Sequence, residues 1–277
     1  MEIPQDFLYH LGLGLALSMP LGAISFKLKW LSPSGSVAAT IMGCIIFGFG
    51  GLKWSLPLLA FFISSSLLSR LGKQQKAKFD LIFEKSSQRD ALQVLANGGV
   101  GLVIILIDLV VRADFLYLLY IAAFAAAAAD TWATEIGVVY GKIPRSILTA
   151  QPVEKGASGG ITSAGLQGAI AGAALVGLSG IFYLNSDNFE TKFQLLLIII
   201  FSGLLGSIVD SILGATVQAQ YRCTECQKIT ERKLHCGANP TALISGFHWI
   251  NNDWVNFFCT LSAVLIALFL ITFGGMK

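Results

Sequence analysis

Residues 115–139 read FLYLLYIAAFAAAAADTWATEIGVV, the most informative stretch of the chain. Its first half carries no charge, and its length suits a helix that crosses a membrane, which needs roughly 20 apolar residues. The run from Ala122 to Ala129, interrupted only by Phe124, has side chains small enough for neighbouring helices to approach closely. The stretch therefore predicts a membrane-spanning helix that packs tightly against other helices.

The composition extends this interpretation to the whole chain. Of its 277 residues, 55% are hydrophobic and only 13% are charged, about half the usual charged share of a soluble domain. These values exclude a disordered chain, a coiled coil and an ordinary soluble enzyme. No basic stripe with interleaved aromatic residues accompanies the net charge of +3, so we expect no nucleic-acid partner.

Apolar blocks of similar length recur along the chain. They predict an all-α fold, a polytopic transmembrane bundle of about eight spans in one integral membrane domain over residues 1–277. The predicted spans are 7–26, 35–51, 54–70, 91–111, 115–139, 161–184, 193–219 and 253–275. The block 35–51 is short and rich in glycine, so it is either a span or a re-entrant segment.

The basic residues predict the orientation of the bundle. With the N-terminus outside, all but four of the 19 lysine and arginine residues fall on the inner side, as the positive-inside rule requires. The exceptions are Lys53, Arg112, Lys192 and Lys277. The polar segments 71–90, 141–160 and 220–252 then become inner-side loops. We expect an integral protein of a plasma or thylakoid membrane whose active face is cytoplasmic.

Polar residues cluster at a similar depth near the inner ends of four predicted spans. They are Asn97, Asp130, Glu135, Asp210, Asn252, Asp253 and Asn256. An ionisable group within a span costs at least a few kcal/mol, so it usually has a partner or a role. Carboxylate and carbonyl oxygens suit a hard cation, Mg²⁺ by default. A buried hydrogen-bonded network and a proton or sodium pathway are the alternatives.

The loop before the sixth predicted span adds a candidate anion site. Its backbone N–H groups, next to the start of a helix, can cradle a phosphate. The residues concerned are Gly156, Ser158, Gly159, Gly160 and Thr162, with positive charge from Lys142, Arg145 and Lys155. The pattern is not a Walker A motif. A simple glycine turn is the alternative.

The loop 70–90 is the most basic segment of the chain. One interpretation is a topology determinant at the anionic leaflet of the membrane. The other is a role in holding a nucleotide or a prenyl phosphate, with Lys73, Lys76, Lys78 and Arg89 as candidates.

Three cysteines cluster in the loop 220–252. Cys223, Cys226 and Cys236, with His235 or His248, can form a structural Zn²⁺ site. Because His235 and Cys236 are adjacent, we do not expect both to bind one ion readily. The alternative is a set of reduced thiols.

Six motifs together resemble a widespread membrane family long classed as a domain of unknown function. In chain order they are QVLANGG, ADTWATEIG, GASGGITSAG, VDSILGATVQ, YRCTEC and NNDWVN. The resemblance extends from about residue 70 to residue 260. The family includes the chloroplast phytyl-phosphate kinase of the tocopherol pathway, and it has archaeal and animal members.

The resemblance implies a prenyl-phosphate kinase. A nucleoside triphosphate, with CTP favoured, would transfer a phosphoryl group to phytyl or a similar isoprenyl monophosphate in the membrane. We expect Asp130 and Asp210 to hold Mg²⁺, Glu135 and Asp253 to complete or orient its shell, and Lys155 with the glycine loop to neutralise the transferring phosphate. The partners are then the isoprenyl phosphate, the nucleotide and the surrounding lipids.

Three other functions are consistent with the sequence. The first is phosphorylation of a free prenol, and the second is transfer of a cytidylyl group to a lipid phosphate. The third is transport of an isoprenoid or anionic substrate, for which inverted repeats and charges at the membrane midplane would be expected. A purely structural role leaves the buried acids unexplained.

Overall fold

The computed structural model describes residues 5–71, 88–185, 188–237 and 239–274. This part of the chain contains seven long helices, each apolar enough to cross a membrane, which confirms the predicted helical membrane bundle. They are α1 (Gln5–Lys27), α2 (Pro33–Leu71), α3 (Ala91–Val111), α4 (Asp114–Tyr140), α5 (Ser163–Gly180), α6 (Phe189–Thr216) and α7 (Asn252–Phe273). Large apolar side chains such as Val110 and Phe189 are exposed on the outside of the bundle, as expected for lipid-facing positions.

The helix α4 lies at the centre of the bundle and packs against α2, α3, α5, α6 and α7. Every residue of α4 from Leu116 to Ala129 is buried. The alanine run explains this position, because other helices can approach its backbone. On α5, Gly165, Gly168 and Gly172 face backbone carbonyl groups of α4.

We expect Gly172→Ala to destabilise the bundle. A Cβ atom at this position would lie 2.8 Å from the carbonyl oxygen of Ala128 and 2.9 Å from Cγ of Trp132, so α5 would be pushed away at a cost of about 1–3 kcal/mol. Gly99→Ala in α3 is the control, because its Cβ atom would meet nothing within 4 Å. Thermal unfolding in detergent should show a lower midpoint for the first variant only. Equal midpoints would contradict the close packing of α4 on α5.

The helix α2 is interrupted where the sequence separates two predicted spans. Gly51 has φ 59° and ψ −158°, which is not helical. Six residues later, Pro57 lacks the N–H group that would bond to the carbonyl of Lys53. The hydroxyl of Tyr117 in α4 donates to this carbonyl at 2.8 Å. The bend in α2 is thus held against the central helix.

The length of α2 bears on the number of spans. A straight helix of 39 residues is about 58 Å long, roughly twice the thickness of a hydrocarbon core. The interruption at Gly51 divides it into two parts that correspond to the predicted spans 35–51 and 54–70. The count of eight spans and the outside position of the N-terminus stay predictions.

Two polar segments contain short antiparallel strands that the sequence analysis did not detect. The strands β1 (Arg145–Ser146) and β2 (Gly160–Ile161) pair across the glycine loop. The strands of the second sheet lie between α6 and α7 and are β3 (Gln220–Cys223), β4 (Ile229–Thr230), β5 (Leu234–His235) and β6 (Asn239–Ser245). Their order in the sheet is β4-β3-β6-β5.

Candidate active site

A polar cavity of about 340 Å³ lies where α4 and α6 carry their acidic residues. The glycine loop and the first turns of α3, α5 and α7 complete its wall. Thirteen residues predicted from the sequence line it: Arg89, Asn97, Asp130, Glu135, Lys155, Gly156, Ser158, Gly159, Gly160, Thr162, Asp210, Asn252 and Asn256. The structure therefore brings the acids and the glycine loop to one place.

The acidic part of the cavity is a pair of neighbouring carboxyl groups. The side chains of Ser207 and Asp210, which share one face of α6, lie near the carboxyl group of Asp130 on α4. The Oδ2 atom of Asp210 is buried and has no hydrogen-bond partner in the described part of the chain. Two adjacent carboxylates repel each other unless a proton or a cation lies between them. This oxygen-rich pocket fits a hard cation such as Mg²⁺.

The other two predicted acids have different positions. Glu135 lies one turn and a half beyond Asp130, and its Oε1 atom accepts a hydrogen bond from Ser69 at 2.7 Å. Asp253 is buried in the first turn of α7, where its N–H group donates to the capping side chain of Asn251. Asp253 is not among the lining residues, so it belongs behind the cavity wall rather than in it.

The glycine loop is pressed against the helix that carries Asp210. Gly156 and Gly159 have φ of 87° and 77°, a region that favours glycine. A Cβ atom at Gly159 would lie 2.4 Å from Cβ of Ala215 in α6, so only glycine fits there. Thr162 then caps α5, accepting a bond from the N–H group of Gly165 at 2.9 Å. The positive end of α5 therefore adjoins the acids.

One predicted phosphate-binding residue, Arg145, is not brought to this cavity. Arg145 is exposed on β1, and its guanidinium donates to the carbonyl of Ala150 at 2.8 Å instead of lining the wall. The pairing of β1 with β2 holds it on the outer side of the loop. Lys73 and Lys76 lie outside the described residues.

A second cavity, of about 270 Å³, is almost entirely apolar. It lies between α1, α2, α3 and the central helix. Its walls include Leu21, Ile24, Met42, Phe47, Phe61 and Phe124. It shares three lining residues, Arg89, Gln93 and Asn97, with the polar cavity. The two cavities therefore meet at this polar junction.

Arg89 is the cation of the junction. Its Nη1 atom donates to Oγ of Ser66 at 2.9 Å, and its guanidinium lies 5.8 Å from the ring centre of Phe61. Burial lowers the pKa of Arg89 to about 10, so it still carries its charge at neutral pH. An arginine between an apolar cavity and a polar one is suited to bind a phosphate headgroup.

Sequence reasoning missed several polar residues of the wall, among them Ser69, Gln93, Gln218 and Glu231. Gln93 belongs to a capping box with Asp90 at the start of α3, a pattern that is readable from the sequence. Glu231 follows β4, and its Oε1 atom accepts bonds from Ser158 and Gln218, both at 2.9 Å. No local pattern points to Glu231, because only the sheet brings it to the glycine loop.

The fold and the site define a class: a polytopic helical membrane protein with an acid-lined cavity beside an apolar one. The chain belongs to the family described as integral membrane protein DUF92, which it matches over residues 16–264. The suspected membership of this membrane family is thereby confirmed.

Relatives occur in plants and archaea. Protein PGR of Arabidopsis thaliana is 32% identical over 97% of this chain and 97% of its own length. An uncharacterized membrane protein of Methanocaldococcus jannaschii is 34% identical over 76% of this chain and 84% of its own. Protein VTE6, chloroplastic, of Arabidopsis thaliana is 22% identical over 82% of this chain and 61% of its own. No solved structure matches this chain.

Proposed function

We propose that this protein is a membrane-embedded prenyl-phosphate kinase. It transfers a phosphoryl group from a nucleoside triphosphate, with CTP favoured, to phytyl or a similar isoprenyl monophosphate. The observation that carries the proposal is the junction of two cavities of opposite character at Arg89, Gln93 and Asn97. A lipid phosphate has the same two parts, an apolar tail and an anionic headgroup.

The acceptor lies across this junction. Its tail occupies the apolar cavity, where burial of each methylene group contributes about 0.8 kcal/mol. Its phosphate contacts Arg89 and faces the polar cavity, into which the nucleotide phosphates enter beside the glycine loop. One oxygen of the acceptor monoester forms a bond to the γ-phosphorus, and the bond from that phosphorus to the β-phosphate oxygen breaks. The products are the prenyl diphosphate and the nucleoside diphosphate.

The residues of the polar cavity position these groups and offset their charge. Asp130 and Asp210 would hold Mg²⁺, which when bound neutralises phosphate charge. Lys155 and the backbone of Gly156 and Gly159 contact the phosphates of the nucleotide. A phosphate monoester is already a competent nucleophile, so positioning and charge neutralisation supply most of the rate. The acidic side of the cavity faces the cytoplasm or, in a thylakoid, the stroma.

The direct test uses protein purified in nanodiscs with Mg²⁺, phytyl monophosphate and one of CTP, ATP, GTP and UTP. We expect phytyl diphosphate and the nucleoside diphosphate, identified by mass. Pyrophosphate as the second product would instead mean cytidylyl transfer. Turnover of free phytol alone would mean a prenol kinase, and no turnover of any pair by folded protein would contradict both assignments.

Filling the apolar cavity should change which acceptor is used. Ala39 lines it, whereas its neighbour Ala38 does not. We expect Ala39→Leu to raise KM for phytyl monophosphate about tenfold, because the added carbons displace part of the tail. KM for a short acceptor such as isopentenyl monophosphate should change little.

Ala38→Leu is the control, since it adds the same side chain one position away. If Ala39→Leu raises KM equally for the long and the short acceptor, the tail is bound elsewhere. Circular dichroism and gel filtration establish that both variants are folded.

A further inference from the structure

Four potential metal ligands converge at the edge of the sheet between α6 and α7. One side-chain ligand atom from each of Cys223, Cys226, His235 and Cys236 lies within 4.8 Å of all the others. Nδ1 of His235 is 3.4 Å from Sγ of Cys226 and 3.2 Å from Sγ of Cys236. Around a tetrahedral zinc ion, sulfur and nitrogen ligands are about 3.5–3.8 Å apart. The cluster therefore has nearly the size of an occupied site.

The backbone explains how adjacent residues both join this cluster. Cys236 has φ 47° and Gly237 has φ 79°, so the chain reverses direction directly after β5. The side chains of His235 and Cys236 consequently face the same point. Their adjacency in sequence therefore does not keep their ligand atoms apart in this structure.

The second pair of ligands is held by a tight turn after β3. The N–H group of Gln227, which has φ 60°, donates to the carbonyl of Cys223 at 3.1 Å. The N–H group of Cys223 donates in turn to the carbonyl of Lys228. Cys223 is fully buried and His235 is 6% exposed, whereas the other two ligands are reachable from outside. The cluster thus has two buried ligands and two exposed ones, which leave a path of entry for an ion.

The sheet itself is too small to be stable through its own core. Two of its strands have only two residues each. Its fully or largely buried side chains are Tyr221, Cys223, Thr230 and His235. Two of these four are ligands of the cluster. Small units of this kind usually depend on a metal or on disulfides.

We infer that this protein carries a structural zinc ion bound by Cys223, Cys226, His235 and Cys236. Three thiolates and one imidazole are a closed tetrahedral set that leaves no position for a substrate, as in structural rather than catalytic sites. The soft sulfur ligands favour zinc over the hard cation of the polar cavity. The ion joins the turn after β3 to the end of β5.

The zinc ion acts on the polar cavity through the sheet. Glu231 follows β4, which pairs with β3, and its carboxylate accepts bonds from Ser158 and Gln218. With the ion bound, the sheet holds Glu231 against the glycine loop. Ion loss should therefore raise KM for the nucleotide several-fold more than it raises KM for the acceptor lipid.

The test begins with metal content, which does not depend on any enzymatic activity. Protein is produced in zinc-supplemented medium, purified through a peptide tag that contains no histidine, and analysed by mass spectrometry of the metal. We expect about one zinc per chain in the wild type. Cys226→Ser should lose most of it, whereas Cys44→Ser, which changes a buried cysteine in α2, should keep it.

A second measurement needs no variant and covers the case in which Cys226→Ser does not fold. Stepwise addition of a mercurial reagent to the wild type should release zinc in proportion to the thiols that react. Cobalt added to metal-free protein should give the intense visible bands of a tetrahedral thiolate site. Wild-type protein without zinc and without these cobalt bands would overturn the inference, as would equal zinc loss in Cys44→Ser.

Discussion

Asp210→Asn should abolish nearly all phosphoryl transfer while leaving the protein folded. The substitution keeps the shape of the side chain but removes one of two neighbouring negative charges. If Asp130 and Asp210 hold Mg²⁺, kcat should fall by about a thousandfold or more, as expected when a group that stabilises charge in the transition state is lost. Initial rates with CTP and phytyl monophosphate at saturating Mg²⁺ provide the measurement.

The same variant separates a metal site from a purely structural network. In the structural case, loss of Asp210 removes hydrogen bonds from the bundle and lowers its unfolding temperature. In the metal case without added Mg²⁺, the unfolding temperature should stay the same or rise, because the repulsion between the two carboxyl groups is relieved. Asp108→Asn is the matched control, since Asp108 lies in a span but lines neither cavity. Full activity of Asp210→Asn would refute the metal assignment.

Arg89→Gln should have the second largest effect, and mainly on the acceptor. A buried cation that pairs with a phosphate typically contributes at least 2 kcal/mol, so kcat/KM for phytyl monophosphate should fall about 30- to 100-fold. KM for the nucleotide should change much less, because Arg89 lies at the junction of the cavities rather than beside the glycine loop. Steady-state kinetics with each substrate varied in turn separate the two effects.

Arg70→Gln is the control for Arg89. Arg70 lies in the last turn of α2 with its guanidinium 5.7 Å from the ring centre of Trp30, and it lines neither cavity. Arg89→Lys should recover part of the activity, since it keeps the charge but loses the planar fork. If both arginine-to-glutamine variants lose the same share of activity, the phosphate is bound elsewhere.

The helices and the acids of the site were predictable from local sequence. A membrane span is recognised by its length and apolarity. An aspartate such as Asp130 stands out within a span because a charge in a membrane is costly. The glycine loop was also predictable from local sequence, because Gly156 and Gly159 mark a backbone conformation that other residues avoid. Each of these features depends on residues within one or two helical turns of each other, and sequence patterns are informative over that distance.

The rest of the site depends on contacts between distant segments. The two-residue strands of the sheet are too short for an alternating pattern, so the position of Glu231 could not be foreseen. The left-handed conformation of Cys236 was equally hidden, because a non-glycine residue gives no signal for it. The junction at Arg89 required the three-dimensional packing of α1, α2 and α3 on the central helix.

The placement of the apolar cavity has a consequence for how such an enzyme would encounter its acceptor. The cavity is bordered by α1, which among the described helices has extensive contacts only with α2 and is otherwise mostly unburied, as expected for a helix that faces lipid. In the proposed kinase, a prenyl tail would therefore enter from the bilayer without crossing water. Saturation would then depend on the mole fraction of the acceptor in the membrane plane, not on its bulk concentration. Adding inert lipid at constant total acceptor should slow the reaction by surface dilution, so that membrane composition would itself set the rate.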